Sequence, residues 1–326
     1  MTKRGETIHR LEVDAYRVPA DQHESDGTLA WDTTPCVVVR AHNNGTCGLG
    51  YTYGPAATAE LIDEKLGGVV CGLDAMSPAR AWGRMLEAVR NMGRQGVAAH
   101  AISAIDVALW DLKARLLGVP LSDLWGRVRE RAPVYGSGGF TSYDEEQLRE
   151  QLIGWVEGGI RRVKIKVGRR PDLDVKRVRL ARDAIGPDVE LFVDANGAYD
   201  RKQALWFAEA FAEHGVTWYE EPVSADDLQG LRLLRDRGPA GMAISAGEYG
   251  YHPYDFRRLL EVGAVDTLQA DVTRCLGYTG FLKAAALCEA WNIPLSTHTA
   301  PALHAALGAS VGPVVHVEHF HDHVRI

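Results

Sequence analysis

LFVDAN (191–196), TWYEEP (217–222) and ISAGE (244–248) decide the reading of this 326-residue chain. Each is a short apolar run, the mark of a buried strand, that closes on a carboxylate. The acids are Asp194, Glu220 and Glu248, spaced 26 and 28 residues apart. Such an interval accommodates one strand and one helix. Barrels of alternating strands and helices build their sites at the C-terminal strand ends. Three acids meeting there would make an oxygen-rich cage for a hard divalent cation such as Mg2+. Singly, each acid could be turn chemistry, as in Asp194-Ala195-Asn196-Gly197; their matched repeat positions argue for a cage. Glu220 and Glu221 alternate on the strand, so only one of them is assigned to the ion, and Glu220 is chosen.

Working outward, candidate strands fall at 132–136, 161–167, 189–194, 216–220, 242–246, 265–270, 293–297 and 313–318, with helical segments such as 200–214 and 278–291 between them. Eight strands and seven helices fit an α/β fold, a TIM-like (β/α)7β barrel. A doubly wound sheet fits less well, because it would gather its site at one crevice rather than on successive strands. The first third differs. Residues 7–18 alternate as a strand, and 35–41 and 47–53 pair around Asn43-Asn44-Gly45. Helical stretches follow near 57–70, 78–92 and 97–117, the last stopped by Gly118 and Pro120. Strands followed by helices predict an N-terminal α+β capping domain over residues 1–130, ahead of a barrel domain over 131–326.

The chain is 46% hydrophobic and 24% charged, an ordinary globular mixture. Its net charge of −7 argues against a nucleic-acid partner. The five cysteines show no CxxC spacing, so neither a disulfide framework nor a zinc site is signalled. Free thiols suit a cytoplasmic location. No apolar run approaches a membrane span, and MTKRGETIHR at the start lacks the apolar stretch of a signal peptide.

Further chemistry sits on the same strand ends. Lys164 and Lys166, in VKIKV (163–167), share one face of the second barrel strand and point inward. Two ammonium groups so close should repel, lowering the pKa of at least one and fitting it to act as a base. Asp271 ends TLQAD (267–271) and His298 ends PLSTH (294–298), again about one repeat apart. A carboxylate on one imidazole nitrogen fixes the tautomer and raises the basicity of the other. The tail VVHVEHFHDHVRI (314–326) holds His316, His319, His321 and His323; it is read less as a metal site than as a strand whose Glu318 faces the substrate. PADQHESDGTLAW (19–31), with His23, and LGYTYG (49–54), with Tyr53, are the expected specificity loops, and the polar character of the first suits a polyhydroxylated acid. Asp106 and Asp111, on an apolar helix, read as buried structural partners. YGSGG (135–139) and GTCGLGY (45–51) fail as phosphate- or dinucleotide-binding loops.

In their order, Lys164-Ile165-Lys166, Asp194-Ala195-Asn196, Glu220-Glu221-Pro222, Gly247-Glu248 and the Asp271/His298 pair resemble the enolase superfamily and, within it, the mandelate racemase subgroup. The helix AISAIDVALWDLKARLLGVPLSDLWG (101–126) is similar to the end of that family's cap. The resemblance implies one Mg2+ per subunit held by Asp194, Glu220 and Glu248. It implies acid/base roles for Lys166 and His298 on opposite faces of a small-molecule carboxylate substrate, with Asp271 orienting His298. Lys164 would contact the substrate carboxylate, and Ser137, Asn196, Glu318, His23 and Tyr53 would contact other parts of the substrate. No nucleic acid and no membrane are expected as partners, and homo-oligomerisation is a family expectation. The implied reaction abstracts a proton α to a carboxylate and passes through an enediolate, a chemistry long associated with a lysine or histidine base and Mg2+. Dehydration of an acid sugar to a 2-keto-3-deoxy acid is the leading outcome, with racemisation or epimerisation, and a non-catalytic ligand-binding barrel, as alternatives. Family chains continue beyond the eighth strand to rejoin the cap, whereas this one stops at Ile326, so weaker cap closure is expected.

Overall fold

The computed structural model describes residues 6–326. Met1–Gly5, the first half of the stretch read as lacking an apolar leader, lie outside the described residues.

An antiparallel sheet opens the chain, in the order β1 (Arg10–Ser25), β2 (Ala30–Asn43), β3 (Thr46–Thr52). Gly45 at φ +85° makes the tight β2–β3 turn that the Asn-Asn-Gly signal predicts. Helices α1 (Ala57–Leu61) and α2 (Gly67–Val70) flank a π-helical turn at Ile62–Leu66. Then follow α3 (Pro78–Ala88), α4 (Val97–Leu117) and the short α5 (Leu121–Trp125). Gly48 and Gly50 let β3 lie directly on α4: a Cβ at either would come 2.2 Å from the carbonyls of Ala108 or Ala104. Val37, Val39, Ile102, Ile105, Leu109 and Leu112 fill the core between sheet and helix.

The barrel comprises β4 (Val134–Gly138), β5 (Arg162–Lys166), β6 (Glu190–Asp194), β7 (Val216–Glu220), β8 (Ala243–Ala246), β9 (Thr267–Ala270), β10 (Leu295–Thr297) and β11 (Val314–Phe320). These parallel strands close in sequence order, with β11 pairing β4. The seven helices between them are α6 (Glu145–Glu157), α7 (Pro171–Ile185), α8 (Arg201–Ala212), α9 (Leu228–Arg237), α10 (Pro253–Val262), α11 (Gly277–Trp291) and α12 (Pro301–Ser310). Below the strand ends the bore is plugged by Tyr135, Phe192 and Trp218, the last two stacked at 5.2 Å, with His316 against them. That His316 bonds Ser296 at 2.9 Å and, among the described residues, joins no cluster of metal-ligating side chains.

Cap and barrel are bolted together through α4. Asp106, fully buried, accepts from the Thr279 N–H (2.8 Å) and hydroxyl (2.7 Å), and Ser103 accepts from Gly277 N–H. Asp106 is therefore the structural partner expected. Asp111 is only half-buried, accepting from Leu49 N–H and Arg115.

Two expectations are corrected. Residues 19–31 are not a loop: β1 and β2 extend as a hairpin arm whose tip is only 26–29. Likewise 49–54 lies mostly within β3. The last residues do rejoin the cap. His323 stacks on Tyr53 with centroids 3.5 Å apart, and Trp31 donates to Asp322 at 2.9 Å. Arg325 reaches the Pro19 carbonyl.

Candidate active site

The ends of β6, β7 and β8 bring Asp194, Glu220 and Glu248 to one point, where one oxygen of each lies within 4.8 Å of the others. All three are buried. Gly247, at φ +141°, makes the last of these approaches possible: a Cβ there would sit 2.1 Å from the Gln269 carbonyl on β9. Asp194 Oδ1 also accepts from the Asn196 N–H at 2.8 Å, and Asn196 holds a left-handed φ of +47°.

Around this point the charges do not balance. Asp194, Glu220, Glu221, Glu248, Asp271 and Glu318 are each at most 3% exposed. Facing them are Lys164, Lys166, Arg274 and His298. Even with His298 protonated, six acids meet four cations, an excess of two negative charges. Uncompensated charge in such a place is strongly unfavourable. Protons relieve it here: burial, then Glu248 and Asp194, raise Glu221 well above its ordinary pKa, and burial with Asp194 pushes Glu220 up to about 7. One divalent cation would supply the missing charge, and an all-oxygen donor set suits Mg2+. The residues present therefore fit the ion.

Lys164 and Lys166 enter the bore together, but the expected fall in pKa is not found. Lys164 is enclosed, donating to both oxygens of Glu220 (2.7 and 2.8 Å) and lying 2.9 Å from Glu318. Lys166 donates to Asp194. Burial opposes each charge, yet the surrounding carboxylates outweigh both burial and the neighbouring ammonium, and both pKa values rise. His298 Nδ1 bonds Asp271 at 2.9 Å while Nε2 lies 3.2 Å from Glu248. Burial disfavours its charge, but Glu248 and Asp271 raise its pKa to about 10. Asp271 is fixed in turn by the Thr273 N–H and hydroxyl and by Thr299 Oγ1.

Glu318 sits at the same point, accepting from Thr299 N–H, with its pKa lowered to about 2: burial would raise it, and Lys164 prevails. Ser137 is buried on the adjoining β4, with a hydroxyl that makes no hydrogen bond of good geometry. Tyr53 stands at the cap side on His323. Asn196 lines an opening shared with Thr28, Gln95, Glu221, Tyr249 and Tyr251. His23 is the exception: it is exposed, bonds Asp32 at 2.8 Å, and is not brought to the cluster. The hairpin arm alternates, so Glu24 is buried where His23 is not. Sequence reasoning missed Arg274, 3.1 Å from Glu248 and 3.6 Å from Asp271. It lies four residues past the end of β9, in a turn where no periodicity applies; its closeness to Asp271 was the one available signal.

The C-terminal 147–326 match the Enolase C-terminal domain-like family model, and 16–126 match that of the Mandelate racemase / muconate lactonizing enzyme, N-terminal domain. The 3,6-anhydro-alpha-L-galactonate cycloisomerase of Streptomyces coelicolor is 38% identical over 89% of this chain and 82% of its own. A mandelate racemase/muconate lactonizing enzyme-like protein from Rubrobacter xylanophilus superposes with a TM-score of 0.96 at 56% identity, over 98% of this chain and 89% of that one. L-Talarate dehydratase from Polaromonas sp. JS666, complexed with Mg and L-glucarate, superposes at 0.89 with 31% identity, over 97% and 87%. The family's cofactor is Mg2+, and the chain is an enzyme of lyase or isomerase type. It belongs to the mandelate racemase/muconate lactonizing enzyme family of the enolase superfamily.

Proposed function

We propose that this enzyme abstracts the α-proton of an acid sugar and expels the β-oxygen, leaving a 2-keto-3-deoxy acid after tautomerisation. One observation carries the reading: two proton carriers flank the three-acid cluster. Lys166 contacts Asp194 from β5, and His298 contacts Glu248 from the end of β10. A substrate over the cluster would thus meet a base on one side and an acid on the other. Bound Mg2+ would supply positive charge where the enediolate oxygens develop and draw the acids away from Lys166 and His298. Asp194, Glu220 and Glu248 would hold it. Lys164, already matched to carboxylates, would take the substrate carboxylate, and Asp271 would fix the tautomer of His298 through Nδ1. Ser137, Asn196, Glu318 and Tyr53 would meet other parts of the substrate.

In the elimination the Cα–H electron pair becomes the Cα–Cβ double bond and the Cβ–O pair leaves with oxygen. His298 or Lys166 can protonate that oxygen. If it is a hydroxyl, water departs and the reaction is a dehydration. If it is a ring ether, as the 3,6-anhydro substrate named for the Streptomyces relative suggests, the ring opens and the reaction is an isomerisation. The same pair of flanking carriers also suits racemisation or epimerisation, in which the proton is returned on the opposite face. Screening acid sugars and their anhydro and lactone forms with Mg2+, in D2O, tests the proposal. Keto-acid product supports it; deuterium at Cα with no keto acid from any substrate replaces it with the racemase reading.

A further inference from the structure

Away from the three-acid cluster, the hairpin arm and the C-terminal segment bring a second set of ligand-type side chains together. Asp21 and Glu24 come from β1, and His321 and Asp322 from just after β11. One ligand atom from each lies within 4.8 Å of all the others. Glu24 is 0% exposed and Asp322 1% exposed. Trp31 Nε1 donates to one oxygen of each, at 3.1 and 2.9 Å. The second oxygens, Glu24 Oε1 and Asp322 Oδ1, are buried with no hydrogen-bond partner. Glu24 Oε1 is turned toward His321, 3.9 Å from its Nε2, and that nitrogen lies 3.0 Å from Asp21 Oδ2.

Buried carboxylate oxygens without a donor are costly, and two from different acids of one cluster are hard to keep without a shared positive occupant. Of the three acids, Arg325 pairs with the exposed Asp21, at 3.5 Å, rather than with buried Glu24 or Asp322. We propose that Asp21, Glu24, His321 and Asp322 form a second divalent-cation site, which clamps the cap's hairpin arm to the C-terminal segment. One imidazole nitrogen with three carboxylates favours Mn2+ or Zn2+ over Mg2+, so the two centres would differ in the metal they prefer. Trp31 and Phe140, packed edge to face at 5.4 Å, and Phe140 beside His321 wall the site with aromatic surface.

The test counts Mn2+ bound per chain, by electron paramagnetic resonance of the free ion, on the full-length protein stripped with a chelator. The expected counts are two in the wild type and one in Glu24→Gln/Asp322→Asn, with circular dichroism reporting that the variant is folded. His321→Ala, at a partly exposed position, should weaken one Mn2+ at least tenfold and leave the other unchanged. Equal counts in the wild type and the double variant, with full-affinity binding in His321→Ala, would overturn the clamp. A drop from one to zero on mutation would support the clamp and instead sink the ion cage at Asp194, Glu220 and Glu248.

Discussion

Asp271→Asn should lower the titration of His298 without abolishing its elevation. In the wild type His298 is raised to about 10, with Glu248 the largest attraction and the Asp271 hydrogen bond next. Because the folded value lies above the ordinary 6.5, protonated His298 stabilises the fold fully below that pH. The contribution is lost as the pH rises through about 10. The asparagine keeps the shape and removes one charge-assisted bond of 2.9 Å. Such a bond contributes about 1.5–3 kcal/mol. At about 1.4 kcal/mol per pKa unit, the titration should fall by roughly 1–2 units. Glu248 still faces Nε2, so the variant should remain above 6.5. Imidazole NMR on histidine-labelled, chelator-treated protein reads this directly, with His298→Gln assigning the signal. A titration that stays in place, or moves upward, would refute the claim that Asp271 acts on His298 through this bond.

Mg2+ at a hundred times its dissociation constant should stabilise the fold by about 2.7 kcal/mol, raising the melting temperature by several degrees in calorimetry. Glu248→Gln should erase most of that rise; an undiminished rise would remove Glu248 from the ion's ligands. Gly247→Ala places a methyl 2.1 Å from the Gln269 carbonyl at a φ of +141°. Urea denaturation should show a loss of roughly 3 kcal/mol or more, and Mg2+ affinity should drop with it. Asp106→Ala strands the Thr279 N–H beneath the cap, and a loss of about 1–3 kcal/mol is expected in the same assay; a neutral result would show that the cap is held elsewhere.

The barrel was legible in the sequence because its strands are short, apolar and spaced by whole helices, and because strand ends carry acids at that same interval. Asp194, Glu220, Glu248, Asp271 and His298 share that period, and the structure brings them to one mouth. Side chains outside the period were harder to find. Arg274 sits in a turn and reaches back to two acids. The direction of the lysine shift was misjudged because adjacency on a strand shows Lys164 beside Lys166 but not the carboxylates arriving from β6, β7 and β11. Residues 19–31 read as a loop because Pro19, Asp21, Ser25, Asp26 and Gly27 are weak strand formers. Pairing with β2, register shift included, keeps the chain in a strand as far as Ser25 all the same, and only 26–29 form the tip. The pairing of Asp21 and Glu24 with His321 and Asp322 spans nearly the whole chain, and no local pattern encodes it.

At the crest of the hairpin arm, a Cβ on Gly27 would come within 2.3 Å of the Ala195 carbonyl and 2.7 Å of that of Val167. The arm therefore rests backbone on backbone against the residues that follow Asp194 and Lys166. Thr28, beside Asn196, and Leu29 are exposed and leave room for exchange, whereas a side chain at Gly27 would push the arm off both strand ends at once. Gly27 is a keystone: its lack of a side chain is what lets the arm's backbone seat directly on both loops.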